Sequence, residues 1–309
     1  MPKIWRLQPH DPARAADLER AAGIPAVVAR LLLCRGIDQP AHAKKFLDPK
    51  LTELHDPELL PGVTAAADVI TASIAAGKNI VVYGDYDADG MTATAILHDC
   101  LKLLGANVGY YVPHRIDEGY GLNDDALRSL AERGTHTVVT VDCGVAAVAQ
   151  ADLAAELGLT LIITDHHEFA ATLPRAAAVV HPRLPGSNYP FTGLCGAGVA
   201  FKLAWALCQR ASKAKKVTDA QREFLLSAIG LAAIGTIADV VPLLEENRVI
   251  VRYGLTALKD RPPAGIAALM KLLKLTEKPK LESDDIAFAI GPRLNAAGRL
   301  GQPNSASNC

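Results

Sequence analysis

From residue 64 to residue 180 the sequence alternates short β-branched runs with longer helical stretches, and nothing else in the chain restricts its fold so strongly. Residues 79–83, 109–112, 137–141, 159–164 and 177–180 read as strands. Residues 64–76, 91–104, 124–133 and 145–157 read as helices, with Thr64 placed to cap the first and Gly77 and Gly105 placed to stop the first two. Strands separated by helices pair in parallel and need cover on both sides. The pattern therefore predicts an α/β fold, a parallel-rich sheet with helices on both faces. Residues 1–63 read as a helical lead-in with a helix at 26–34, broken by Pro40, Pro57 and Pro61. Beyond Gly193 the chain becomes mostly helical, near 197–210, 219–233, 248–259 and 264–273. The expected organisation is a lead-in (1–63), an α/β domain (64–242) and a helical segment (243–309).

Composition narrows the class. Hydrophobic residues make up 50% and charged residues 21% of the 309 positions, which excludes a disordered, collagen-like or low-complexity chain. Lys and Arg number 32 against 33 Asp and Glu, a formal charge of −1, so nucleic acid could be engaged only through a local site and not by bulk charge. The cysteines (34, 100, 143, 195, 208 and 309) form no C-x-x-C pair, so neither a disulfide framework nor a structural zinc site is expected. Charges interrupt the N-terminal stretch where a signal peptide needs an apolar run, and no apolar run approaches the ~20 residues of a membrane span. A soluble, intracellular protein without a membrane partner is the expectation.

In open α/β sheets, ligands gather where the carboxyl ends of strands lead into helices. Acidic residues stand at that position after the first strand (Asp85, Asp87, Asp89), after the third (Asp142) and after the fourth (Asp165, followed by His166, His167 and Glu168). A further aspartate, Asp239, follows an apolar helix. Three carboxylates within five residues repel one another unless a cation sits among them. Adding Asp142, Asp239 and one imidazole gives five negative charges and a neutral nitrogen donor, a set that two divalent cations would largely balance. Oxygen-rich ligation with a histidine suits Mn²⁺ or Mg²⁺. Such a pair can bind a phosphodiester and activate water.

Other uses of these residues are weaker. The D-x-D-x-D-G run lacks the Glu at the twelfth position of an EF-type calcium loop and leads straight into a helix. Taken singly, Asp142 would serve as a helix N-cap and Asp-His-His as a solvated loop. No G-x-G-x-x-G follows the first strand, which argues against a dinucleotide site. Arg115, in a Pro/Gly-bounded loop, is placed either to fork onto a terminal phosphate or to pair with Asp117 or Glu118. Arg293, Asn295 and Arg299 lie among small residues (Gly291, Ala296, Ala297, Gly298), which suits either close approach of a DNA strand or a tight helix contact supporting the site. Tyr110, Tyr111 and Tyr120 are candidates for stacking on bases, with one of the first two expected in the core.

Residues 85–90 (DYDADG), 141–144 (VDCG), 165–167 (DHH) and 235–239 (GTIAD) resemble the ordered motifs of the DHH phosphoesterase superfamily. Residues 113–122 (PHRIDEGYGL) and 291–300 (GPRLNAAGRL) are similar to the RecJ exonuclease family within it. The resemblance implies a Mn²⁺- or Mg²⁺-dependent 5′→3′ exonuclease on single-stranded DNA, working in recombination and repair in a bacterial cytoplasm. It implies Asp85, Asp87, Asp89, Asp142, His166 and Asp239 as ligands of two ions. It also implies a catalytic pair in which Asp165 orients a neighbouring histidine and His167 faces the scissile phosphate or a metal. Arg115 then favours phosphate, and Arg293, Asn295 and Arg299 favour DNA or support of the site. Single-strand-binding protein and a helicase are the partners it suggests. Family members continue beyond the GPRLNAAGR element into a second domain, whereas this sequence ends at Cys309, so a fragment or a shortened product is expected. The rival readings are a phosphoesterase for short oligonucleotides or cyclic dinucleotides, and a binding module without catalysis.

Overall fold

The computed structural model describes residues 9, 11–115 and 117–299. The chain forms two compact units, one up to Glu53 and one from Leu54 onward. The described residues of the first form three α-helices, α1 (Pro12–Ala22), α2 (Ala26–Leu33) and α3 (Pro40–Leu47). Asp11 caps α1 by accepting the N–H groups of Ala13 and Arg14, and Gly23 ends it in the left-handed conformation. Leu18, Ala22, Ala29, Leu32 and Ala43 make a small core of their own.

The second unit begins with α4 (Val63–Ala75) and continues with β1 (Asn79–Tyr83), α5 (Ala88–Leu103), β2 (Asn107–Tyr111) and α6 (Asp124–Glu132). Next come β3 (Thr137–Val141), α7 (Val148–Glu156), β4 (Thr160–Thr164) and β5 (Ala178–Val180). The helices α8 (Gly196–Ala211), α9 (Asp219–Ala238), α10 (Glu245–Asp260) and α11 (Ala264–Leu272) follow, then a π turn at Ile286–Ile290 leading into a last helix, Gly291–Arg299. No single helix among the described residues is long and apolar enough to cross a membrane, and the described cysteines are free thiols.

All five strands are parallel, in the order β2-β1-β3-β4-β5. The α/β architecture expected from the alternation is therefore the one observed. Tyr83, Val138, Leu161 and Ile163 pack with Leu127 and Leu130 of α6 and Ala151 and Ala154 of α7. Their strand neighbours Ile80, Val82, Val139, Val141 and Ile162 are buried on the opposite face, where α5 and α8 cover the sheet. After β1 the chain turns to one side for β2 and then returns to the other side for β3. The crevice where that direction reverses lies between the carboxyl ends of β1 and β3.

Some boundaries differ from expectation for identifiable reasons. Helix α4 starts on Gly62, not on a Thr64 cap; Gly62 has φ 79° and runs so close to β5 that a Cβ would meet the Val179 carbonyl oxygen at 1.9 Å. Helix α5 starts three residues earlier than its apolar pattern suggests, because Asp87 caps it. Helix α9 runs on to Ala238 with Ile234 and Ile237 buried, which delivers Asp239 at its C-terminal end.

Candidate metal centre

Three strand ends and one helix end build the site. Beyond β1, Asp85 is buried and Asp87 has extended backbone, its carboxylate accepting the N–H groups of Asp89 (2.9 Å) and Gly90 (3.0 Å). Asp89 thus sits in the first turn of α5, its carboxylate taking two further N–H groups, from Gly196 (2.7 Å) and Ala197 (2.9 Å) at the start of α8. Beyond β3, Asp142 adopts the left-handed conformation (φ 61°) and is no N-cap. Beyond β4, Asp165 accepts N–H groups from Val145 (2.9 Å), His166 (2.7 Å) and His167 (3.1 Å). Its Oδ1 also lies 2.7 Å from Nδ1 of His167. Asp239 closes the C-terminal end of α9.

These residues converge. His166 Nε2 lies 3.1 Å from Asp142 Oδ1, 3.7 Å from Asp239 Oδ2 and 3.9 Å from Asp89 Oδ2. Three overlapping groups of potential ligands result: Asp85, Asp87 and Asp142; Asp89, His166 and Asp239; and Asp142, His166 and His167. Within each, the ligand atoms lie within 4.8 Å of one another. Two glycines make this closeness possible. A Cβ on Gly196 would strike the Asp142 carboxylate at 2.4 Å, and one on Gly235 would meet Asp89 Oδ1 at 2.3 Å.

The electrostatics show what the cluster lacks. Burial and the neighbouring Asp87 push Asp85 up to about 7. Burial, partly countered by His166, lifts Asp89 to about 6, and burial with Asp87 lifts Asp239 to about 6. Burial with Asp89 and Asp87 nearby raises Asp142 well above the carboxylate range. Asp165 moves the other way: burial works to raise it, but the His167 ring and the Val145 N–H outweigh that and hold it low. The same bond to Asp165 raises His167, while burial lowers His166.

Asp85 Oδ1, Asp142 Oδ1 and His166 Nε2 are buried without a hydrogen-bond partner. Buried polar atoms without partners are costly, and these three are two carboxyl oxygens and a ring nitrogen facing one region. Carboxylate oxygens with an imidazole are the donor set of Mn²⁺ and Mg²⁺. The residues fit the group.

The outlying candidates divide. The Arg115 guanidinium lies 4.9 Å from the centre of the Tyr86 ring beside the β1 loop, while Asp117 pairs with His114 and Glu118 with Tyr111. Asn295 accepts the N–H of Ala88 (2.7 Å) at the start of α5. Arg293 donates to the carbonyl of Ala289 in the preceding π turn (2.8 Å), and the side chain of Arg299 lies outside the described residues. Tyr110 sets its ring edge-on to His98, and Tyr120 donates to the Asp142 carbonyl (3.1 Å) with its ring edge-on to His167. The sequence reading missed the support behind the histidines. His181 Nε2 donates to the His167 carbonyl (2.9 Å) and Arg183 to that of His166 (2.6 Å). Both directly follow β5, the strand-end position that singled out the acids.

Residues 79–231 match the model of the DHH family, N-terminal domain. The chain is 43% identical over 302 residues to the single-stranded-DNA-specific exonuclease RecJ of Bacillus subtilis, covering 98% of this chain and 37% of that protein. Residues 79–231 thus match the DHH family, and nearly the whole chain is similar to its RecJ members. RecJ of Dickeya dadantii is 39% identical over 92% of this chain and 49% of its own length. The chain thus spans about half, or less, of the length of the curated relatives it matches. Among solved structures, RecJ from Thermus thermophilus in complex with Mn²⁺ superimposes with a TM-score of 0.80 at 34% identity, covering 97% of this chain and 41% of that one. Exonuclease RecJ bound to manganese gives 0.72 at 38% identity, over 84% and 62%.

Proposed function

We propose that this chain carries the metal-dependent catalytic half of a single-strand-specific 5′→3′ exonuclease that hydrolyses DNA to 5′-mononucleotides in recombination and repair. The observation that carries it is the trio of buried, partnerless atoms on Asp85, Asp142 and His166 within interlocking ligand groups. In this reading Asp85, Asp87, Asp89, Asp142, His166 and Asp239 hold two divalent ions, Mn²⁺ or Mg²⁺. When bound, such a pair neutralises the phosphodiester and makes water a competent nucleophile near pH 7.

The remaining steps belong to the protein. Asp165 anchors Nδ1 of His167 and both backbone N–H groups of the histidine pair, so that ring enters the site in one orientation. His167 is half-exposed and retains its proton more firmly than an isolated imidazole, which suits Nε2 to face the scissile phosphate. Arg115, an exposed guanidinium steadied by Tyr86, is in place to receive a terminal phosphate. A net charge of only −1 keeps recognition local to this face. Relatives named for single-stranded DNA support the substrate class, and a bacterial cytoplasmic setting with single-strand-binding protein and a helicase as partners accompanies the same reading.

The test is direct. Purified chain with Mn²⁺ should release mononucleotides from a long single strand, and Asp142→Ala should abolish release. Equal activity in the variant, or cleavage of dinucleotides alone, would overturn the reading.

A further inference from the structure

The N-terminus of a helix leaves backbone N–H groups that need acceptors. At α5, Asp87 Oδ1 accepts those of Asp89 and Gly90, and its carbonyl accepts that of Met91 (2.8 Å). One remains, the N–H of Ala88, which lies between two of the site's carboxylates in a residue that is 1% exposed. Its acceptor is the side-chain oxygen of Asn295, 2.7 Å away and 207 residues further along the chain. The last helix is seated there by a second contact: Gly298 lies so near the Tyr86 carbonyl that a Cβ would meet its oxygen at 2.2 Å. Both contacts grip one loop, residues 86–88.

We propose that Asn295 is a positioning residue for the metal centre, acting through the first turn of α5 to hold Asp87 and Asp89 in place, each within its own ligand group. The proposal rests on the metal-centre reading above. With Ala88 N–H satisfied from the last helix, Asp87 needs only Oδ1 for capping and keeps Oδ2 for a ligand role. Without that acceptor, the buried N–H competes for the Asp87 carboxylate or forces the turn to shift, and either change moves two carboxylates at once. Outer groups that orient metal ligands control affinity by roughly 10- to 100-fold.

The measurement is calorimetric titration of the metal-free chain with Mn²⁺. Asn295→Leu, similar in size but without an acceptor, should weaken Mn²⁺ binding by about tenfold or more. Asn295→Asp, which keeps an acceptor oxygen, should bind at least as well as the unaltered chain. If the leucine variant does not fold, Asn295→Ala, compatible with a helix, is read in its place. A merely structural residue would lower the melting temperature of the metal-free chain and leave affinity unchanged, and that result overturns the proposal. Asp142→Ala separates the two claims. If it too binds Mn²⁺ normally, the metal-centre reading has failed. If it loses binding while Asn295→Leu retains it, only the role of Asn295 has failed.

Discussion

Two of the places where the second unit buries charge solve the problem in opposite ways. Between α8 and α10, Lys202 and Glu246 are both fully buried, with Nζ to Oε1 at 2.7 Å. Lys202 also donates to the His55 carbonyl, and Glu246 accepts from the His55 N–H (2.9 Å) and the Tyr189 hydroxyl. Each charge there has its counterion and its hydrogen bonds within the chain. At the ends of β1, β3, β4 and α9, five aspartates face two imidazoles, and three polar atoms have no hydrogen-bond partner. A closed network of this kind holds helices together, whereas an unbalanced one requires something from outside the chain. Burial of charge by itself therefore says little about a site; the unbalanced remainder locates it.

The contrast can be tested at several points. Removing an acid from the unbalanced cluster should hurt function most: Asp142→Ala should reduce nuclease turnover roughly a thousandfold, read with a labelled single strand and Mn²⁺. Removing an acid from the balanced network should hurt the fold instead. Glu246→Ala leaves Lys202 buried alone and should cost about 3–5 kcal/mol in denaturant unfolding, with Mn²⁺ affinity unchanged in the folded fraction. If Glu246→Ala weakens Mn²⁺ binding at full stability, the two networks are not separate. Asp165→Asn should lower turnover by roughly 10- to 100-fold, because His167 loses its orienting charge. Turnover that survives intact would detach that pair from catalysis.

The smallest effect is on pH dependence. Asp85, Asp89 and Asp239 have folded values raised to about 7, 6 and 6. A raised acid holds more protons folded than unfolded, so its contribution to stability is full below about pH 4 and is lost as pH rises through 6 to 7. The melting temperature of the metal-free chain should fall between pH 5 and pH 8, and Mn²⁺ should restore most at pH 8. A flat profile would mean the cluster is better balanced than its geometry implies. The Lys202–Glu246 network, with its counterion inside, predicts no such metal-dependent recovery.

Much of this was legible in the sequence because it is local. β-branched runs fixed the strands within a residue or two, and strand ends are where α/β ligands collect, so Asp85, Asp87, Asp142 and His166 could be expected at one rim from spacing alone. Asp239 was less visible, since nothing local says that α9 runs five residues further than its pattern and ends beside the sheet. What stayed hidden depends on contacts distant in sequence. Asn295 meets Ala88 across 207 positions, and no periodicity reports that distance. Small residues around it suggested close approach without saying to what. The N–H pair of Gly196 and Ala197 was invisible for another reason: backbone groups carry no letter in the sequence, and only the fold aims them at Asp89.

Asp142 combines a left-handed backbone with a buried carboxylate whose Oδ1 accepts no hydrogen bond. Non-glycine residues in that conformation store strain, typically about 1–3 kcal/mol. Replacing this aspartate with glycine relieves both the strained backbone and the buried charge in one step. Selection for sturdiness alone would therefore favour a chain that melts later and binds nothing, so this position is where durability and chemistry pull the protein in opposite directions.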